Sequence, residues 1–223
     1  MIANGMTART RLVAAFTFII LVGAGWASGS EVPATRQQTI GHPRTRFPLK
    51  VYVQPAPTPA LDAAIRDSVA QWNVVFAQAF GIAAFRLTQQ RKRAGVIILF
   101  AGEEKNSREM GETSLDADSR GVIRLPVTIR LAPPARRGQT GPTLVMFEVA
   151  AHELGHALGL PHLNSPESIM CCDVGALNFE DPATRAAYIA ARRHPDLHSV
   201  LPDLVAHYRQ FWGKQPAPPG HSP

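Results

Sequence analysis

Cysteine is nearly absent from the 223-residue chain, which has only two, Cys171 and Cys172, side by side. Adjacent cysteines can close a small ring between themselves or pair with other chains, so a scaffold held by several disulfides is excluded. Stability must come from a hydrophobic core. With 45% hydrophobic residues, the chain is large enough to build one globular domain around such a core.

Long apolar runs are also missing, except near the N-terminus. There, Arg9 and Arg11 precede the run 12–26, and Gly25 and Ala27 provide the small residues of a cleavage site. This pattern is typical of a secretory signal peptide cleaved after Ala27. The alternative is an uncleaved membrane anchor, for which the run is short against the ~20 residues of a membrane span. We expect residues 1–27 to be a signal peptide and the protein to be secreted or periplasmic.

Aromatic residues are scarce as well, at 7%. The formal net charge is +6, so the chain is basic. The basic clusters at 91–93, 136–137 and 192–193 contain no interleaved aromatic residue. Solvated loops and helix ends explain them better than a nucleic-acid surface does. We therefore expect no nucleic-acid partner.

The remaining chain divides by composition into a polar linker at 28–48, a folded domain at 49–213 and a disordered tail at 214–223. Apolar periodicity predicts strands within 49–54, 84–90 and 95–100, the last buried on both faces. Pro126 divides two further strand candidates in 121–131. Helices are predicted at 58–80, 143–159, 179–194 and 202–213. A sheet with helices packed on it indicates the α+β class.

The segment 101–121 is polar, and we expect a loop there. Its residues 116–121 faintly resemble a calcium-binding loop. The twelfth position counted from Asp116 is Val127 and not Glu, so the EF-hand pattern fails. A plain turn is the preferred interpretation, with weak calcium binding as the alternative.

The most informative stretch is 150–172, AAHELGHALGLPHLNSPESIMCC. His152 and His156 lie four residues apart on a predicted helix, so one face presents both rings to a single zinc ion. Gly159 can end the helix in a left-handed conformation and Pro161 cannot continue it, so His162 can approach from another direction. Three histidine ligands leave one zinc position open, as in catalytic sites.

Glu153 directly follows the first of these histidines. Its carboxylate would lie beside the metal, where it can take a proton from an attacking water and deliver it to a leaving amine. This residue distinguishes a hydrolase from a protein that merely binds zinc.

The sequence HELGHALGLPH followed by SIM resembles the HExxHxxGxxH signature and Met-turn of metzincin zinc metalloproteases, and is most similar to the matrixin branch. The likeness spans about 49–213. It implies a twisted, mixed five-stranded sheet, an active-site helix and a small C-terminal helical subdomain. By the resemblance, Met170 forms a hydrophobic floor beneath the metal, and peptides bind extended along an edge strand within 121–131.

The resemblance implies a zinc-dependent endopeptidase that acts on protein or peptide substrates, and we expect a monomer. A zinc-containing binding module without activity and a zinc amidase acting on cell-wall peptides are the alternatives. Leu163 replaces the glutamate of astacins, and residues 171–173, CCD, replace the usual pocket wall of matrixins. The cysteine switch of the propeptide and the histidines of a second, structural zinc site have no counterparts in 28–48 and 101–131.

Three further residues, Glu148, Cys171 and Cys172, each have more than one possible role in the site. Glu148 lies one turn before His152, where it could orient a ligand histidine, line the specificity pocket, or be an exposed carboxylate. Cys171 and Cys172 could bind a metal or form a redox-sensitive pair. A local pair that shapes the turn after Met170 is the simpler interpretation.

Overall fold

The described part of the chain forms five strands and four α-helices. The computed structural model describes residues 38–100, 110–134, 140–173 and 175–214; the predicted signal peptide and nearly all of the predicted tail lie outside these ranges. The strands are β1 (Leu49–Val53), β2 (Phe85–Leu87), β3 (Val96–Phe100), β4 (Gly111–Ser114) and β5 (Val127–Leu131). The helices are α1 (Pro59–Phe80), α2 (Pro142–Ala157), α3 (Pro182–Arg193) and α4 (Leu201–Gly213).

The sheet has the strand order β2-β1-β3-β5-β4. All neighbours are parallel except β4, which pairs antiparallel with β5. This confirms the mixed five-stranded sheet and the α+β class. The expected edge strand was misplaced, because β5 in the segment 121–131 pairs on both sides. Strand β4, from the segment interpreted as a loop, occupies the edge instead.

Local signals set the ends of two helices. The Thr58 hydroxyl accepts a hydrogen bond from the Leu61 amide at the start of α1, and Gly81 ends that helix with φ 71°. At the start of α3, the carboxylate of Asp181 accepts the Thr184 amide. Both helices form where their capping residues predict them.

The inner face of the sheet packs against α1 and α2. Alternate residues of β1 and β5 are buried, as expected for a sheet with one covered face. The prediction that β3 is buried on both faces is wrong: Val96 and Ile98 are buried, while Ile97 and Leu99 are half-buried. A continuous apolar run therefore does not require two equally covered faces.

Side chains from distant segments hold the end of α2. The Trp72 indole donates to the Ala151 carbonyl at 2.8 Å, the His42 ring to Ala157 at 2.9 Å, and the Tyr208 hydroxyl to Leu158 at 2.7 Å. The Ala157 and Leu158 carbonyls lie at the end of the helix and have no partner within it, so the bonds from His42 and Tyr208 satisfy groups that burial would otherwise leave unpaired.

The packed structure begins before residue 49. The His207 ring donates to the Ile40 carbonyl at 2.8 Å, and the Trp212 indole donates to the His42 carbonyl at 2.9 Å. Helix α4 and the segment before β1 are thus joined directly. Among the described residues, no helix has the length and apolarity required to cross a membrane.

Candidate metal centre

Three histidine rings converge at the end of α2. His152 and His156 come from the helix and His162 from the segment after it. Their Nε2 atoms lie 3.0 Å apart for His152 and His156, and 3.1 Å apart for each pair that includes His162. The structure therefore brings together all three predicted metal ligands.

Each ring is anchored on its other nitrogen. His152 Nδ1 lies 2.8 Å from the Ile169 carbonyl, His156 Nδ1 lies 2.8 Å from the Leu160 carbonyl, and His162 Nδ1 lies 2.7 Å from an Asp173 carboxylate oxygen. All three partners are acceptors, so each Nδ1 carries the proton and donates it. Each Nε2 then presents a lone pair to the other two.

Three converging lone pairs repel one another unless a cation lies between them. Zinc–nitrogen bonds of about 2.0–2.1 Å in a tetrahedral site place ligand nitrogens roughly 3.3 Å apart, close to the observed spacing. Burial lowers the pKa of His152 to about 3 and that of His156 to about 4, although hydrogen bonds to backbone carbonyls oppose both shifts. Neutral imidazole is the form that binds a metal, and the set could hold one zinc ion.

The turn that delivers His162 depends on Gly159. This residue has φ 95°, and a Cβ there would lie 2.4 Å from the Ile40 carbonyl oxygen. Further along, the Leu163 amide donates to the Met170 carbonyl at 2.9 Å, which ties the segment of the third ligand to the predicted Met-turn. Glycine is required at position 159 because its φ is positive and because a side chain there would clash with the Ile40 carbonyl.

Met170 packs directly beneath the metal-binding helix. It is fully buried, and a Cβ added at Gly155 would lie 2.2 Å from its sulfur. Gly155 is one of the two residues between Glu153 and His156, where only a bare backbone leaves room for the methionine. The role of Met170 as a hydrophobic floor beneath the metal stays a prediction.

Glu153 packs against the edge strand. Its side chain is buried, and its Oε2 lies 2.6 Å from the Thr113 hydroxyl on β4. A Cβ at Gly111, two residues earlier on the same strand, would lie 2.7 Å from Glu153 Oε1. The carboxylate is therefore in close contact with β4.

Glu148 orients none of the three histidines, since other groups bind each Nδ1. It is 8% exposed, and its Oε1 has no hydrogen-bond partner among the described residues. Burial raises the pKa of Glu148 to about 7, and the positive charge of Arg192 opposes this shift. Arg192, from α3, donates at 2.9 Å to the Ser168 carbonyl just before the Met-turn.

Cys171 and Cys172 form a disulfide with each other. They lie between Met170 and Asp173, so the pair belongs to the turn and not to the group of ligands. The bond makes them a local pair after Met170, and both a redox-sensitive role and a role limited to shaping the turn stay predictions.

Sequence reasoning missed two side chains of the site, Asp173 and Thr113. No local pattern marks Thr113, because it reaches Glu153 only through the fold. An acidic residue close after the Met-turn was the available clue for Asp173. The histidines themselves were found because their spacing is fixed by one helix.

The sequence model of the matrixin family, Peptidase_M10, matches residues 44–180, more than half of the chain. No curated protein matches the chain significantly. The match contains the three histidines, Glu153 and Met170, and it ends before α3. The chain is thus a member of the matrixin family of zinc-dependent metalloendopeptidases.

Proposed function

We propose that this protein is an exported endopeptidase whose zinc is held by His152, His156 and His162 and whose general base is Glu153. The observation that carries the proposal is the convergence of three Nε2 atoms at 3.0–3.1 Å, each on a ring anchored through Nδ1. Membership of a zinc endopeptidase family supports the same chemistry.

The reaction requires one proton to be moved twice. Bound zinc supplies a Lewis acid that makes water acidic near pH 7 and polarises the scissile carbonyl. Glu153 takes a proton from the water as its oxygen bonds to the carbonyl carbon. When the carbon–nitrogen bond breaks, Glu153 returns that proton to the departing nitrogen, so the products are a carboxylic acid and an amine.

The substrate chain would bind along β4. This strand lies at one of the two edges of the sheet, and Glu153 contacts its inner face. An extended peptide can add to such an edge through backbone hydrogen bonds. Strand addition would place the scissile bond near the base whatever the side chains of the substrate are.

Export and domain limits form part of the proposal. Residues 1–27 would be removed as a signal peptide, and the catalytic domain would extend to 213. Because residues 40–42 bond to α4, we place its start near 39 and not at 49. N-terminal sequencing of protein recovered outside the producing cell should begin at Ser28. An intact N-terminus in the membrane fraction would favour the anchor.

The decisive experiment uses residues 28–223, purified and analysed for bound zinc. We expect about one zinc per chain, cleavage of an unfolded protein substrate, and loss of cleavage with a chelator. Glu153→Ala should retain zinc and lose cleavage. A cell-wall peptide preparation should be left uncut.

Other outcomes separate the alternatives. One bound zinc without chelator-sensitive cleavage of any peptide library would indicate a binding module. Cleavage confined to the cell-wall preparation would indicate an amidase. Zinc binding that survives His162→Ala would disprove the three-histidine site.

A further inference from the structure

We propose that Thr113 is a positioning residue that holds Glu153 in both protonation states of the catalytic cycle. This inference rests on the proposed role of Glu153 as general base. It is carried by the placement of a single hydroxyl group between two oxygens of the same glutamate.

The Thr113 hydroxyl lies 2.6 Å from Glu153 Oε2 and 3.1 Å from the backbone carbonyl oxygen of Glu153. A hydroxyl has one hydrogen to donate and two lone pairs that can accept. It can therefore donate to only one of these oxygens at a time. Both positions for its hydrogen are within reach without moving the side chain.

While Glu153 is a carboxylate, the shorter bond is the stronger one because its acceptor is charged. The Thr113 hydrogen then points to Oε2. Once Glu153 has taken the proton from water, it becomes a donor. When that proton is on Oε1, Oε2 is the carbonyl oxygen of the neutral acid and still accepts the Thr113 hydrogen, so the hydrogen bond is kept.

The strand geometry keeps this arrangement fixed. Gly111 and Thr113 alternate with the exposed Glu112 and Ser114, so both face α2. The absence of a side chain at Gly111 allows β4 to pack against the carboxylate. Thr113 pairs with Ile129 of β5, which holds its backbone in register.

The consequence is that the base keeps one orientation from proton uptake to proton delivery. Without the hydroxyl, a buried carboxylate would lose a donor and could adopt other rotamers. The chemical step should then slow, while zinc and substrate bind as before. A residue needed only for packing would behave differently, because valine has nearly the same shape as threonine.

The test compares Thr113→Val and Thr113→Ser with the wild-type protein. We expect Thr113→Val to lower kcat by about tenfold or more, with KM within about twofold, since acid–base catalysis contributes roughly 10²–10⁴-fold in total. Thr113→Ser should return kcat to within about threefold of the wild type. Zinc content and the affinity for an uncleavable peptide analogue should not change.

Thr128→Val is the matched control. This threonine is on β5 with its side chain on the outer face of the sheet, so its replacement should leave kcat unchanged. A wild-type kcat for Thr113→Val would overturn the inference, as would a loss of zinc or analogue affinity that accounts for the slower reaction. Failure of Thr113→Ser to restore kcat would also overturn it.

Glu153→Gln separates this inference from the proposed function. If Glu153→Gln remains active, Glu153 is not the base and the proposed function itself fails. If Glu153→Gln is inactive while Thr113→Val matches the wild type, only the role of Thr113 is refuted.

Discussion

The two halves of the proposed zinc site are built differently. His152 and His156 stand on one helix, and backbone carbonyls hold their Nδ1 atoms. His162 follows a turn, and the side chain of Asp173 holds its Nδ1. That pair is open to solvent, with 34% of the His162 side chain and 60% of the Asp173 side chain exposed.

This contrast indicates which ligands are fixed before a metal arrives. A helix sets the separation of two rings through its own periodicity, and a backbone carbonyl cannot change charge. An exposed carboxylate is bound less rigidly, because water competes for it and its side chain can rotate. We call His152 and His156 with their carbonyl partners the helical half, and His162 with Asp173 the turn half. We expect the helical half to be organised in the zinc-free protein, and the turn half to depend more on bound zinc.

Removing a ligand from each half gives the largest effects. His152→Ala and His162→Ala should each weaken zinc binding by more than about 100-fold, beyond the 10–100-fold typical for partners of ligands. In the zinc-free protein, His152→Ala should also cost about 1 kcal/mol of unfolding free energy, since its bond to Ile169 is lost.

Competition with a fluorescent chelator and urea unfolding measure the two quantities. Zinc-free His162→Ala should unfold within about 0.5 kcal/mol of the wild type, as expected for an exposed site. Equal destabilisation by both variants would remove the proposed difference between the two halves.

The helical half can be disturbed without touching a ligand. Gly155→Ala places a methyl group 2.2 Å from the Met170 sulfur, and such overpacking typically costs about 1–3 kcal/mol. Thermal unfolding of the zinc-free protein should show this loss. Gly213→Ala is the control, because nothing lies within 4 Å of a Cβ at that position. If Gly155→Ala has the same thermal stability as the wild type, Met170 can move to make room for the added methyl group.

The turn half is tested by Asp173→Asn. Loss of the carboxylate should weaken zinc binding by about 10–100-fold, because His162 loses its charged acceptor. Asp196→Asn removes a similar exposed aspartate–histidine contact, with His198, that involves none of the three converging histidines, and it should leave zinc affinity unchanged. If Asp173→Asn binds zinc like the wild type, the exposed contact does not orient the ligand.

Lowering the pH should destabilise the folded protein through His42, whose ring binds the Ala157 carbonyl at the end of α2. Burial lowers the pKa of His42 from 6.5 to about 4, so the unfolded chain binds a proton more readily than the folded one between these values. The contribution of neutral His42 to the free energy of unfolding is complete above pH 6.5 and is lost as the pH falls towards 4. From pH 7 to 5 we expect a loss of about 2 kcal/mol from this residue.

His42→Gln should remove that part of the pH dependence. Urea unfolding of the zinc-free wild-type and variant proteins at pH 7 and 5 measures it. If the free energy of unfolding falls equally in both proteins from pH 7 to 5, His42 does not take up a proton on unfolding in this range.

The sequence predicts well what short-range chemistry determines. Thr58, Gly81 and Asp181 mark helix ends because caps act within a few residues. His152 and His156 could be placed on one face because helix geometry fixes their separation. The third ligand followed from a glycine and a proline that end the helix.

Long-range pairing explains what was missed. The residues of β4, Gly-Glu-Thr-Ser, have weak strand preference, and they form a strand because β5 offers a pairing edge. Asp173 and Thr113 contact the site from segments 11 and 40 residues away from their partners. No periodicity in the chain encodes such contacts.

The bonds that join Ile40 and His42 to α4 also bear on how the protein folds. They connect residues 167 and 170 positions apart, so closing them requires nearly the whole domain. Contacts of such long sequence separation cost more chain entropy and slow folding. The end of the metal-binding helix is secured by His42 from one end of the domain and Tyr208 from the other. A nascent chain should therefore complete its active centre only after α4 has been synthesised.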